Sequence, residues 1–345
     1  MKSIVFALSL LAAGTATTTA IAAEPVLAGY DRFAVSAAHR PSLMQGSLWY
    51  PVGTKTYVGF IGKGPVFKAT KAMVGAGVKE GRYPLILLSH GSGGNMDAIS
   101  WLSSELANRG MIVAGVNHPG STSGDSSPRR SVKLQLRAND ISAVLDHLLA
   151  DPYFAQFIDP DRIFTAGFSL GGATALNLGG ITFDQAAYAN YCKKFGDEAQ
   201  DCIFLAKGGV EFDHLPDEFS ADNADSRISG IIAIDPGFTY AISDQSVQKT
   251  NLPVHLISLG KENIWKAADV GSKGSNLVAR LQNVTHATLA PAHHFTFLAE
   301  CTEKGALILK EEADDPICDD PDETDRAGIH AEIVGSIASF VDTMK

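Results

Sequence analysis

The chain has 345 residues, 45% apolar and 19% charged, an ordinary globular balance with enough length to bury a large core. Its formal net charge of −10 repels phosphate backbones and anionic lipid, which argues against nucleic acid as a partner and against docking on an acidic membrane.

In chain order, the first 23 residues read as a signal peptide. Lys2 supplies the positive start and Ile4 to Ala13 an apolar run too short to span a bilayer. Ala20-Ile21-Ala22 offers a small-x-small cleavage site. No later stretch has the length and apolarity of a membrane helix. A secreted or periplasmic protein with no stable membrane anchor is expected.

Residues 24–345 read as one α/β domain with a mostly parallel sheet, because apolar strand runs alternate with helical patterns. Pro84 to Leu88 is a short apolar run ended by Ser89-His90-Gly91. A helix follows from about Met96 to Asn108, with Ile99, Leu102 and Leu106 on one face and Gly110 where a helix-ending glycine belongs. Met111 to Val116 is a second strand, and Lys133 to Ala150 a helix with Leu134, Ile141, Leu145 and Leu148 as its stripe. Arg162 to Ala166 is the strand before the chemically informative segment, and Ser169 to Leu178 the helix after it. Further strands are Ile228 to Ile234, Val254 to Leu259 and Val284 to Leu289. Ile333, Val334, Ile337, Phe340 and Val341 mark a closing helix.

Two stretches break the alternation. Thr182 to Ser226 is polar and lacks a strand pattern, which makes it either a lid over the site or a surface insertion. Glu300 to Arg326 reads as an acidic, solvated loop. The four cysteines fall two in each, and their spacing predicts disulfides Cys192–Cys202 and Cys301–Cys318. A metal site at Cys192 and Cys202 is disfavoured because no histidine stands nearby at ligand spacing.

Gly167-Phe168-Ser169-Leu170-Gly171 is a G-x-S-x-G between an apolar strand and a helix opening on Gly172, Ala173 and Ala175. That is the setting of a nucleophile elbow, where a tight turn lifts a serine hydroxyl above the sheet. A serine hydroxyl needs a base, and the base needs an orienting carboxylate. The expected chain order is serine, acid, histidine. His293 and His294, after the last strand, are the candidates for the base. His255 reads as a packing residue within a strand and His330 as a surface residue. Asp235, at the end of a strand, is favoured as the acid over Glu262, which follows the next strand. Leu170 and Ser92 are the expected backbone donors of an oxyanion hole, Ser92 lying in the turn Ser89-His90-Gly91-Ser92-Gly93-Gly94. Phe168, Phe238, Tyr240, Trp265 and Phe295 are candidates for lining an acyl pocket, and Arg129 and Arg130 for meeting an anionic substrate.

With these pieces the chain resembles the α/β-hydrolase family that contains platelet-activating factor acetylhydrolase and the bacterial "predicted dienelactone hydrolase" group. The likeness is carried by the glycine turn after Ser89, Asn117-His118-Pro119-Gly120, Asp140-Ile141 with Leu145-Asp146, Gly167 to Gly172, Ala233-Ile234-Asp235 and His294-Phe295-Thr296-Phe297. It spans about residues 84 to 300, extending more weakly to Cys318 and to the Arg326–His330 region. The resemblance implies Asp235 as acid, His294 rather than His293 as base, and no metal or organic cofactor. True dienelactone hydrolases carry a cysteine nucleophile, so that group's name does not transfer an activity here. The expectation is a serine hydrolase acting on a small-molecule ester of short to medium acyl length through an acyl-enzyme. Amide hydrolysis, acyl transfer, and a non-catalytic binding protein on the same scaffold are the alternatives.

Overall fold

A computed structural model describes residues 26–262 and 264–344. The expected signal peptide, residues 1–23, lies outside them. Among the described residues no helix is long and apolar enough to cross a membrane.

The centre is one ten-stranded sheet. Its strands are β1 (Gly29–Val35), β2 (Met44–Tyr50), β3 (Tyr57–Ile61), β4 (Thr70–Val74), β5 (Tyr83–Ser89), β6 (Ile112–Val116), β7 (Ile158–Phe168), β8 (Gly230–Ile234), β9 (Val254–Leu259) and β10 (Val284–Leu289). Their spatial order is β10-β9-β8-β7-β5-β6-β2-β1-β4-β3. From β10 to β6 every pairing is parallel. β2 then joins β6 antiparallel and β1 joins β2 antiparallel. The parallel strands are buried on both faces, which is why they read as unbroken apolar runs. The first four strands do not. In β1 the ends Gly29, Tyr30 and Val35 are buried while half-buried Asp31 and Phe33 alternate with exposed Arg32 and Ala34, and its polar residues mask it in the sequence.

Helices α1 (Ser100–Asn108) and α6 (Arg326–Asp342) cover one face. Leu102, Leu106, Ile333 and Ile337 pack there on Ile86, Leu88, Val113 and Phe164. On the other face lie α2 (Leu134–Ala150) and α3 (Leu170–Leu178). Ala138, Ile141 and Leu145 pack on Leu85, Leu87 and Ile112, so successive residues of β5 serve opposite cores, as a strand's two-residue period requires.

Between α3 and β8 the expected insertion is helical, with α4 (Gln185–Phe195) and α5 (Gln200–Lys207). Asp184 caps α4 by accepting from the Ala187 N–H at 2.6 Å. Tyr188, Phe219 and Phe183 close an aromatic cluster on Phe238, and the same core takes in Leu170, Ala173 and Leu176 of α3. The Tyr188 and Tyr191 hydroxyls donate to the half-buried Asp201 carboxylate at 2.7 and 3.0 Å. Cys192 is bonded to Cys202 and Cys301 to Cys318. The insertion therefore rests on the helix that follows Ser169.

His330 departs from the expectation of a surface residue. It is 8% exposed, stacks on Trp101 at 3.7 Å and donates to the Thr296 carbonyl at 2.9 Å. A partner distant in sequence buries it, and α6 presents it inward. His255 is a packing residue as expected, 5% exposed and hydrogen-bonded to Thr285 and Ser336.

Candidate active site

The site forms because neighbouring strands end at one level. Ser89 of β5, Gly167 of β7 and Ala233 of β8 are in register, and Ile234 is level with Ile257 of β9. Each chain leaves its strand within two residues of that line. The chain goes to β6 on one side of β5 and to β7 on the other, so the sheet changes winding direction there. A crevice at the strands' C-terminal ends is the usual ligand position in such a sheet.

The elbow at Ser169 is held by what its neighbours lack. Ser169 sits at φ 56°, ψ −120°, a left-handed conformation that costs an L-residue about 1–3 kcal/mol and persists only where the surroundings impose it. A Cβ at Gly167 would stand 2.1 Å from the Gly171 carbonyl oxygen, and one at Gly171 would stand 2.0 Å from the Ser89 carbonyl oxygen. Neither position tolerates a side chain while β7, α3 and β5 meet this closely. The Ser169 N–H donates to the Ile234 carbonyl at 3.0 Å, tying the turn to the next strand.

Ser169 is half-buried and its hydroxyl lies 3.0 Å from His294 Nε2. His294 Nδ1 lies 2.8 Å from Asp235 Oδ2. The other Asp235 oxygen, Oδ1, accepts from the Leu259 N–H at 2.9 Å. Asp235 is fully buried and, like Ser169, takes a positive φ, 44°. A carboxylate only accepts, so His294 donates through Nδ1–H, and its Nε2 lone pair faces the serine hydroxyl. Rings pin the imidazole. Trp265 stacks on it at 4.2 Å, with 11° between the planes, and Phe168 lies 4.6 Å away. Trp265 and Phe295 thus border the histidine, whereas Phe238 is committed to the aromatic core.

The structure also separates the alternatives. His293 turns away from Ser169. Its Nδ1 accepts from the Phe295 N–H at 2.9 Å and its Nε2 donates to the Asp319 carbonyl at 2.9 Å, so it caps the turn that carries His294. Glu262 is exposed, and the acidic partner of His294 is Asp235. Arg130 is paired with Asp125 at 2.6 Å, and Arg129 donates to the Gly208 carbonyl at 2.5 Å. Both arginines have local partners.

Leu170 is the first residue of α3, so its amide is one of the four a helix leaves without an intrahelical acceptor. In the turn after β5, Gly91 lies against the elbow. A Cβ built on it would be 3.4 Å from the Ser169 Cβ. Next to it is Ser92, whose hydroxyl faces that of Ser131 at 3.5 Å.

Behind this turn is a polar cluster that sequence reasoning touched only as part of a resemblance. Asp140, His118, His90, Ser89 and Arg137 are each at most 1% exposed. Arg40 reaches the cluster from the loop after β1 and binds both Asp140 oxygens at 2.7 Å. Three histidines (His39, His90 and His118) and two arginines around one aspartate were visible as residue types, but not as neighbours.

Comparison with known proteins agrees with this architecture. Residues 65–131 match the family model of platelet-activating factor acetylhydrolase, isoform II, a stretch holding β5, the glycine turn, α1, β6 and His118. A ferulic acid esterase from Streptomyces cinnamoneus superposes with a TM-score of 0.58 at 19% identity, covering 93% of this chain and 91% of that one. An esterase from Pyrobaculum calidifontis gives 0.48 at 14% identity, covering 91% and 85%. The chain has the α/β-hydrolase fold and, through residues 65–131, is similar to the serine-hydrolase family of platelet-activating factor acetylhydrolase, isoform II.

Proposed function

We propose that the protein hydrolyses carboxylic esters through an acyl-enzyme on Ser169, with His294 as general base and acid and Asp235 as its orienting partner. The observation that carries this reading is the hydrogen-bonded order Asp235–His294–Ser169, at 2.8 and 3.0 Å, at the C-terminal ends of parallel strands.

His294 Nε2 takes the hydroxyl proton as the Ser169 oxygen attacks the ester carbonyl. The imidazolium then holds one N–H on Asp235 and returns the other proton to the departing alkoxide. The tetrahedral oxyanion lies between the Leu170 and Ser92 amides, at the positive end of α3. Water, activated by His294 in the same way, releases the acid. The half-buried serine and the aromatic edge of Trp265 and Phe295 suit a small ester of short to medium acyl length. Two disulfides suit an oxidising compartment, in keeping with a secreted or periplasmic protein.

The test is hydrolysis of p-nitrophenyl esters from acetate to octanoate by wild type, Ser169→Ala, His294→Ala and His293→Ala. Wild type and His293→Ala turn over short esters, while Ser169→Ala and His294→Ala lose at least about 10³-fold in kcat. A wild type that is inert on every ester and is not labelled on Ser169 by a fluorophosphonate sinks the proposal, leaving a binding protein on a hydrolase scaffold.

A further inference from the structure

The site described above uses one Ser–His–Asp array, and the molecule contains a second. Asp140 Oδ2 lies 2.8 Å from His118 Nδ1, and His118 Nε2 lies 2.8 Å from Ser89 Oγ. The order of atoms matches that at Ser169. All three residues are buried, at 0–1% exposure, so no ester reaches them, and the array must do something other than hydrolysis.

We propose that His90, with the buried Ser89–His118–Asp140 array behind it, is a positioning device that holds the Gly91–Ser92 peptide with its N–H turned toward the oxyanion formed at Ser169. This inference rests on the esterase reading.

The directions of the hydrogen bonds lead to that peptide. Asp140 accepts from Arg40 Nε and Nη2 and from His39 Nε2, each at 2.7 Å. It also takes the His118 Nδ1–H. His118 Nε2 is therefore an acceptor, and the Ser89 hydroxyl donates to it. Arg137 Nη2 donates to the Ser89 oxygen at 3.0 Å and also to the His90 carbonyl. With its side chain fixed at both nitrogens, His118 presents its backbone N–H to His90 Nε2 at 3.1 Å. His90 therefore carries its proton on Nδ1 and donates it to the Gly91 carbonyl at 2.7 Å. Burial pushes both imidazoles down, His118 to about 4 and His90 well below the usual histidine range, with Arg137 opposing their charge as well. Neutral rings keep the donor and acceptor roles just described.

A trans peptide points its C=O and N–H in opposite directions. A carbonyl oxygen held by His90, and also by the Gly94 N–H at 3.2 Å, leaves the Ser92 N–H directed away from the cluster. Gly91 lies against Ser169, so the held peptide is the one beside the nucleophile. A hydrogen bond on the carbonyl also polarises the peptide and strengthens its N–H as a donor. If instead the cluster only packs the core, its loss lowers stability and leaves the chemistry of the folded enzyme alone.

The experiment compares wild type, His90→Leu, His90→Asn and Ser89→Ala. It reads kcat and KM on p-nitrophenyl butyrate, the inhibition constant of an alkyl trifluoromethyl ketone, and thermal unfolding. The ketone adds Ser169 and becomes an oxyanion, so its affinity reports the donor. Asn places an amide N–H where His90 has Nδ1. His90→Leu loses kcat on the order of 10²-fold, the loss typical of one missing oxyanion donor. Its KM changes less than about threefold, and ketone affinity falls in proportion to kcat. His90→Asn regains at least about tenfold of both. Should His90→Leu fail to fold, the same proportionality is read from His90→Asn and Ser89→Ala. The inference is overturned if folded variants keep wild-type kcat, or if kcat falls while ketone affinity does not. Failure of the esterase reading itself looks different. Wild type then neither hydrolyses esters nor takes a fluorophosphonate on Ser169, and this inference falls with it.

Discussion

Replacing Asp235 with asparagine tests the site by inverting one hydrogen bond. The substitution keeps size and shape, but the two ends of the new side chain differ. The Leu259 N–H points at Oδ1 at 2.9 Å. The asparagine oxygen must stay there, because the opposite flip would set two donors against each other in a fully buried place. That leaves the amide NH2 facing His294 Nδ1 at about the present 2.8 Å. His294 then accepts at Nδ1 and carries its proton on Nε2, where it can no longer take the Ser169 proton. The expected loss is about 10⁴-fold in kcat, or about 5 kcal/mol of transition-state stabilisation, with little change in thermal stability. Stopped-flow or plate assays on p-nitrophenyl acetate measure it, with fluorophosphonate labelling of Ser169 as the companion readout. An Asp235→Asn enzyme within tenfold of wild type in kcat/KM would refute the assignment of the acid.

Gly171→Ala pushes a methyl to 2.0 Å from the Ser89 carbonyl oxygen and 2.8 Å from that of His90. It should cost at least about 3 kcal/mol in urea unfolding and abolish activity in what still folds, since backbone rather than a side-chain tip must give way. Removing both cysteines of the Cys192–Cys202 pair opens a short loop (sequence separation 10). It should destabilise by roughly 2–3 kcal/mol, seen as a lower unfolding midpoint in non-reducing buffer. Burial pushes His118, His255 and His330 down to about 4, below the value of about 6.5 in an unfolded chain. Between those values the unfolded chain binds more protons, so stability is full above pH ~6.5 and falls as pH drops toward 4, by up to about 1.4 kcal/mol per pH unit for each histidine. Urea midpoints that stay constant from pH 7 to pH 4.5 would contradict this.

The parallel half of the sheet was legible because strands covered on both faces need apolar residues at every position, and the elbow because its glycines are required by backbone contact. β1 was not, since Asp31 and Arg32 put charges into a strand that is exposed at Arg32 and Ala34. Ser169 stood out from a local turn. Asp235 was favoured over Glu262 as the partner of His294, but both follow strands, and it is the meeting of β8 and β9 that brings Asp235 to the histidine. The burial of His330 escapes the sequence for the same reason. The Trp101 ring that buries it comes from α1, far away in the chain. The cluster around Asp140 gathers residues from Arg40, Ser89, His118 and Arg137, and no spacing rule connects such positions.

The turn carrying His294 has a consequence for how the molecule comes into being. It is fastened from further along the chain: His293 to the Asp319 carbonyl, Thr296 to Asp320, and Asp320 to Arg326. Ser169 is thus synthesised about 125 residues before His294 and about 150 before the residues that fasten the His294 turn. A chain that stops short of Asp319 keeps both Ser169 and His294 but lacks the contacts that fasten the His294 turn.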